Sequence, residues 1–396
     1  MIKTGLTSGT TSKSARFSLK PINKNPALLE VVPALDLQAE YREIERELKP
    51  RILRVLKSGR YILGKEVEEF ETSFARFVGT QYAIGLASGS DALLLGLMAL
   101  DIKPGDEIIT SPFSFIATAT AVARLGAKPV FVDIDPDTFN LNPTLIKGKI
   151  TSRTRGIIPV HLFGNPCQMT DIMKTAKEHG LFVIEDCAQA AGASFGGKQV
   201  GFFGEVGVFS FYPTKTIGAM GDAGAITTNQ NDLYEKIKSI HIHGEASRKD
   251  PYRHILIGIN SRLDEIQAAV LNVKLKRLKK WNELRRKIAD RYDEFLSGIS
   301  EIRLPNAEHS VFHQYSIQTS RRDELQRHLR DQGIQTGIYY PIPLHLQPCF
   351  EYLGYRTGDF PAAEQLSREI LSLPIYPQLK SSHQNKVIKV INRLFS

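Results

Sequence analysis

Between positions 82 and 229, short β-branched runs alternate with helical stretches, and no other feature of the chain constrains its fold so tightly. "YAIGLA", "DEIITSP", "KPVFVDI", "TRGIIPVHLFG", "LFVIEDCA", "VGVFSFYP" and "GAITTN" read as strands, and segments from Asp91, over 117–125 and over 169–179 read as helices. A parallel strand pair needs a long crossover, and a helix is the compact way to make one. The alternation therefore predicts an α/β fold with a large, mainly parallel sheet covered on both faces. Ligands in such sheets gather at the carboxyl ends of the strands. Upstream, amphipathic spacing predicts helices over 39–56 and 67–77, joined by the turn "KSGRYILG". Downstream, a long helical pattern over 263–295 leads to a different rhythm. There "VFHQYSIQT", "IQTGIYY" and "LSLPIYP" read as strands, between helices near 323–332, 361–371 and 383–394, which predicts a smaller α+β domain.

The 396 residues exceed what one hydrophobic core usually serves. The expected organisation is a basic tail over 1–29, a large domain over 30–262 and a linking helix with a small domain over 263–396. The first helix of the large domain is free to pack with the small one. Hydrophobic residues at 42% and charged residues at 23% exclude disorder for the body of the chain. Its apolar stretches are broken by Asp91, Asp101 or Arg124, so no membrane span is expected. Cys167, Cys187 and Cys349 are too scattered for a metal knuckle or a disulfide framework. A reducing, cytoplasmic compartment without a metal centre is the expectation.

Much of the formal charge of +9 sits in two places. The tail is rich in Ser, Thr, Lys and Gly and has no periodicity, which predicts flexibility. It lacks the apolar core of a secretory signal, although its composition faintly echoes an organelle transit peptide. The other place is "VKLKRLKKWNELRRK", from Val273 to Lys287. Here cations read as a solvated helix face, with Leu275, Leu278, Trp281 and Leu284 on the other side, and nucleic-acid contact is the weaker reading.

Two glycine-rich strings invite nucleotide readings that fail. "GASFGGKQ" has Gln199 where a phosphate loop needs the magnesium-binding Ser or Thr, and "GFFGEVG" precedes a strand instead of opening a helix. "LASGSDALLLGLMAL" is more informative, because a strand there ends in a small-residue turn from which a helix departs. Its first N–H groups and dipole make an anion seat, unless Ser90 is simply a helix cap. "VIEDCAQA" ends another strand with Glu185 and Asp186, and 29 residues beyond Asp186 comes Lys215. No carboxylate lies within six residues of that lysine. A partly desolvated amine of lowered pKa attacks carbonyl carbon, so a lysine, a distant Asp and a phosphate seat together suit pyridoxal 5'-phosphate (PLP).

These residues also carry a resemblance. "SGSDALLLGL", "SPFSFIATATAV", "FVDIDPDTFNL", "PVHLFGNP", "IEDCAQAAGA", "FSFYPTKTIGAMGDAGAI", "IGINSRLDEIQAAVL" and "YYPIPLHLQP" occur in order, and the chain resembles the DegT/DnrJ/EryC1/StrS sugar aminotransferases from about Val32 to its end. The resemblance implies PLP-dependent transferase fold type I, the aspartate aminotransferase-like fold. It makes Lys215 the catalytic lysine that forms the Schiff base with PLP and shuttles the proton. Asp186 would pair with the pyridine nitrogen, and Gln189 would bond the ring's phenolic oxygen. Gly89, Ser90 and Ser210 would bind the phosphate, and Phe115 would stack on the ring. Asn260 would reach the phosphate of a neighbouring subunit, which implies a homodimer with shared sites. Tyr212, Tyr340 and His345 correspond to positions near the sugar, although His345 also reads as a satisfied loop histidine.

The implied reaction moves an amino group from an amino acid, L-glutamate by expectation, to a keto sugar, nucleotide-linked and closer to the C3-aminating subgroup. It would serve amino-sugar biosynthesis. A PLP-dependent dehydratase is the alternative within the family, but such enzymes carry His where this chain has Lys215. A DNA-binding regulator, suggested by the basic charge, would need a recognition helix or a basic arm with base-reading residues, and none stands out.

Overall fold

The computed structural model describes residues 30–247 and 250–396. The tail read as flexible over 1–29 lies outside the described residues. Seven strands build the main sheet: β1 (Tyr82–Leu86), β2 (Glu107–Thr110), β3 (Lys128–Phe131), β4 (Thr154–Ile158), β5 (Phe182–Asp186), β6 (Val206–Ser210) and β7 (Gly224–Thr228). Their order is β1-β7-β6-β5-β4-β2-β3. Only β7 runs against its neighbours, while the β3, β2, β4, β5 and β6 pairings are all parallel. The strands are buried almost throughout, as expected of a sheet covered on both faces.

Helices α1 (Leu37–Ser58), α2 (Lys65–Val78), α3 (Gly89–Ala99), α4 (Ala117–Arg124), α5 (Met169–His179) and α6 (Asn231–Ile240) lie before the long α7 (Glu265–Leu296). The predicted helices lie within two residues of these bounds. On one face of the sheet Phe70 and Phe74 of α2 stand edge-on to Phe211, and Leu271 and Leu278 of α7 close the same cluster. On the other, Leu93, Leu95 and Leu97 of α3 pack with Ile184, Val208 and Ile226 from the strands. Helix α1 lies along α7, joining Ile44 and Leu48 to Val270, Val273 and Trp281.

The C-terminal region adds β8 (Tyr315–Gln318), α8 (Arg322–Asp331), α9 (Pro361–Glu369), β9 (Ile370–Leu373) and α10 (Ser381–Phe395). β8 and β9 pair antiparallel. Around them Tyr292, Tyr315, Leu325, Leu371 and Ile391 form a further hydrophobic cluster. The expected strand "IQTGIYY" is reduced to a single bridge, Gly337 to Ser372, and the helix expected over 361–371 gives way to β9 at Ile370. Residues 31–396 form one compact unit. Among the described residues no helix is long and apolar enough to cross a membrane.

The basic run on α7 departs from its expected solvated face at two positions. Lys274 is buried, paired with Glu40 and donating to Gly218 O at 2.5 Å. Arg285 is also buried, and its Nη1 donates to Ile375 O at 2.9 Å and Phe312 O at 3.5 Å. Spacing on one helix cannot show which cations a neighbouring element will cover. Glu265 makes a comparable link at the start of α7. Its carboxylate accepts from Gly64 N (2.8 Å), Glu66 N (3.0 Å) and Val67 N (3.0 Å), so it caps α2 from another helix. Glu265→Ala leaves these N–H groups without their acceptor and should lower the unfolding free energy by about 3 kcal/mol in denaturant titration, with Glu265→Gln recovering part of the loss.

Candidate active site

Chain direction brings the carboxyl ends of β1, β2, β4, β5 and β6 to one edge of the sheet, and a cavity of about 510 Å³ opens there. Asp186 is the last residue of β5 and Ser210 the last of β6, while α3 begins three residues after β1. Lys215 follows β6 after a short turn closed by its own N–H to Tyr212 O at 2.8 Å. Gly89, Ser90, Phe115, Asp186, Gln189, Ser210, Tyr212, Lys215 and Tyr340 all line the cavity.

Alternation along β5 separates its two acids. Glu185 turns away from the cavity and is fully buried, accepting from Gly201 N (2.9 Å), Phe203 N (2.6 Å) and Gly204 N (2.9 Å), with His161 Nε2 at 3.2 Å. It is an internal cap. Asp186 faces the cavity, accepting from Thr118 Oγ1 at 2.7 Å and from Ala188 N at 3.1 Å. Burial raises its pKa against the opposing pull of the Thr118 hydroxyl, the Ala188 N–H and Lys215. Burial also lowers the Lys215 amine to about 8, partly offset by Asp186. An amine so shifted has a far larger neutral fraction near physiological pH than an ordinary lysine, and that fraction can act as a nucleophile or a base.

The anion seat is built by close approach. Ser88, not Ser90, caps α3, accepting from Asp91 N at 3.1 Å, so the N–H groups of Gly89 and Ser90 have no intrahelical acceptor. A Cβ on Gly89 would lie 2.7 Å from Ser210 Cβ, and one on Gly224 would lie 2.4 Å from Ser88 C. These two glycines let the helix start, β6 and β7 press together with the Ser210 hydroxyl beside free N–H donors.

Gln189 spans the opposite side, its Oε1 accepting from Phe163 N (2.8 Å) and its Nε2 donating to Tyr340 Oη (3.0 Å). Phe115 is 54% exposed at the cavity mouth, with the Tyr340 ring 6.3 Å away, and Tyr212 is 52% exposed. Such exposure is unusual for aromatic rings in a core, and it leaves ring faces available to a ligand.

Two expected residues are elsewhere. Asn260 is exposed outside the cavity. His345 is absent from the lining too: it is buried, with Nε2 3.1 Å from Glu364 Oε1 and its ring against Phe360, which corrects the expectation of a place beside the sugar; the alternative of a satisfied loop histidine holds at Nε2 only, since Nδ1 has no partner among the described residues. Its loop turns it inward because Glu364 also gathers the N–H groups of Gly358 and Phe360. Thr118, His313, Gln314 and Tyr339 line the cavity without having been singled out. Thr118 lay within reach of sequence reasoning, since it follows Phe115 by one helical turn. His313 carried no local signal.

The DegT/DnrJ/EryC1/StrS aminotransferase family is matched over residues 42–392. The chain belongs to this family. A pleiotropic regulatory protein of Geobacillus stearothermophilus is 46% identical over 369 residues, 92% of this chain and 98% of that one. A dTDP-3-amino-3,4,6-trideoxy-alpha-D-glucose transaminase of Streptomyces venezuelae is 43% identical over 363 residues, 91% and 95% of the two chains. The crystal structure of DesV from S. venezuelae, in complex with a ketimine intermediate, superposes with a TM-score of 0.90 at 42% identity, covering 92% of this chain and 99% of the other. The protein is thus an aminotransferase of PLP-dependent fold type I.

The aminotransferase cavity fits pyridoxal phosphate. The cradle between Gly89 and Ser210 has no room for a further carbon on the backbone and presents free donors for a phosphate. The carboxylate, the amine and the exposed Phe115 ring offer partners for a ring nitrogen, an aldehyde and a ring face. In cofactor-free protein, the pH profile of amine acylation at Lys215 should show a midpoint near 8, and Asp186→Asn should move it lower, because the carboxylate's favourable field on the ammonium is lost. A midpoint near that of ordinary lysines in both proteins would contradict this electrostatic account.

Proposed function

We propose that this aminotransferase moves the amino group of L-glutamate to a nucleotide-linked 3-keto sugar, in amino-sugar biosynthesis in the cytoplasm. The observation that carries the reading is that Lys215 and Asp186 line one cavity with the free N–H groups at the start of α3. The named activity of the S. venezuelae relative, a transaminase for a 3-amino sugar, supports the sugar class and the C3 position. Lysine at position 215 argues against the dehydratase alternative.

The site residues take the following roles. Gly89, Ser90 and Ser210 hold the phosphate, Phe115 covers a ring face, and Gln189 bonds the phenolic oxygen. Asp186 keeps the ring nitrogen protonated, and Thr118 holds the carboxylate in place for that task. When bound, pyridoxal phosphate supplies an electron sink that stabilises negative charge at the carbon losing its proton. Lys215 takes the proton from the substrate carbon as a general base and returns one as a general acid, which its lowered pKa allows. The two half-reactions share this cavity in turn, the amino acid leaving as a 2-oxo acid before the keto sugar enters. Tyr212 and Tyr340 stand at the cavity where the sugar would lie. Residues 30–262 carry the cofactor site, and 263–396 supply the linking helix and a smaller domain that completes the cavity wall.

We also infer a homodimer with shared sites. Tyr252 is 88% and Ile257 90% exposed, on the segment leading to Asn260, and such an apolar surface suits a second copy of this chain. Asn260 would then reach the phosphate bound in the partner.

Purified enzyme should show an absorbance band that L-glutamate bleaches and a nucleotide-linked 3-keto sugar restores. Lys215→Ala should bind the cofactor weakly and lose turnover by at least about a thousandfold; amino-sugar formation at the wild-type rate would refute the role. Lys215→Ala and Asn260→Asp chains, each inactive alone, should on co-expression recover activity in about a quarter of sites, since half the dimers are mixed and each has one intact site. No recovery between two well-folded chains would count against sharing.

A further inference from the structure

Adjoining the catalytic cavity is a smaller one of about 100 Å³, roughly three water volumes. It shares Thr214, His313, Gln314 and Tyr339 with the main cavity, and so opens beside the residue that precedes Lys215. Arg285 of α7 lines this cavity and not the main one. That guanidinium is 2% exposed, and among the described residues it makes no ion pair. Its Nη1 is spent on the carbonyl oxygens of Ile375 and Phe312, whereas Nε has no partner. His313, 7% exposed, likewise has an unpartnered Nδ1. No carboxylate lines this annex.

A guanidinium without an ion-pair partner in a buried site is costly, and structures usually repay that cost with a carboxylate or phosphate. A carboxylate matches the planar fork of an arginine and needs little room. Burial depresses the pKa of both groups; at Arg285 the field of Glu40, which does not line the annex, offsets part of the effect, whereas at His313 the positive charge of Lys215 and Arg285 adds to it. The annex is therefore short of negative charge. Of the two substrates that use the cavity in turn, the amino acid always brings a carboxylate one bond from its reacting carbon.

We propose that this annex is the carboxylate subsite for the amino donor, with Arg285 and His313 as its binding residues. The inference rests on the aminotransferase reading and adds what distinguishes donor from acceptor. The donor is drawn in by the buried cation, and its departure as a 2-oxo acid leaves the main cavity to the sugar. Arg285 holds the end of the annex through the carbonyls of Phe312 and Ile375, so it meets the ligand already oriented.

The test separates a binding role from a structural one. In Arg285→Gln the KM for L-glutamate should rise about 30-fold or more, while the KM for the keto sugar changes less than about threefold; Arg285→Lys should recover part of the loss. Equal damage to both substrates, or none to the donor, would overturn the assignment. Should these variants not fold, His313→Gln should still weaken the donor selectively. Glutarate, which has carboxylates but no amine, should bind the wild-type holoenzyme in calorimetry and compete with L-glutamate, whereas uncharged 1,5-pentanediol should not. Equal binding of the two, or of neither, would sink the proposal. A holoenzyme whose cofactor band no amino acid bleaches would defeat the aminotransfer reading instead, and glutarate binding would still decide the annex.

Discussion

Burial of an amine and a carboxylate in one cavity is the constraint on which the rest of this structure depends. Neither Lys215 nor Asp186 would tolerate an apolar site alone, and the fold supports each differently. Asp186 has a hydroxyl and a backbone N–H, whereas the lysine is left with little beyond the distant field of that acid. The amine is consequently held in a reactive state before any ligand arrives. The closely packed glycines at the opposite wall have the same character, since they deny space to side chains and leave donors unsatisfied. A site built from unmet demands is one that a cofactor can complete.

The supporting shell is held by acids that never touch the cavity. Glu185 gathers a whole turn after the strand, Glu265 ties one helix to the start of another, and Glu364 organises the loop after His345. Each carboxylate binds several N–H groups of a loop that must return to a fixed place, a strong use of one charge because hydrogen bonds to charged groups exceed neutral ones. The cations Lys274 and Arg285 do the converse, binding carbonyl oxygens from within α7. Polar groups of this kind specify where the walls of the catalytic cavity lie, while the hydrophobic clusters supply bulk stability.

The division of labour between the substrates follows from the same electrostatics. One cavity must accept an amino acid and then a sugar, two molecules with little in common beyond the carbon that reacts. Aromatic rings of the cavity such as Tyr212, half-exposed, and Tyr340 suit a hydroxyl-rich ring. A buried guanidinium in the adjoining annex suits a carboxylate. In the arrangement proposed above, spatial separation of the two chemistries would let a single set of reacting groups serve both substrates.

By itself the sequence determined the strand and helix alternation and the sheet edge at which ligands gather, and it singled out Lys215, the adjacent acids Glu185 and Asp186 and the turn before α3 as candidates. Those follow from periodicity and from local chemistry, both of which are written within a few residues. Which of two adjacent acids faces the cavity was decided only when β5 was placed between its neighbours, and the removal of His345 from the site required Glu364 to turn it inward. The burial of Lys274 likewise involved Glu40 at the start of the fold, and that of Arg285 involved Phe312 and Ile375, 27 and 90 positions further along the chain. A residue's type is local, but its solvent and its partners are properties of the packed chain, and those are what make a cation a surface charge or a binding group.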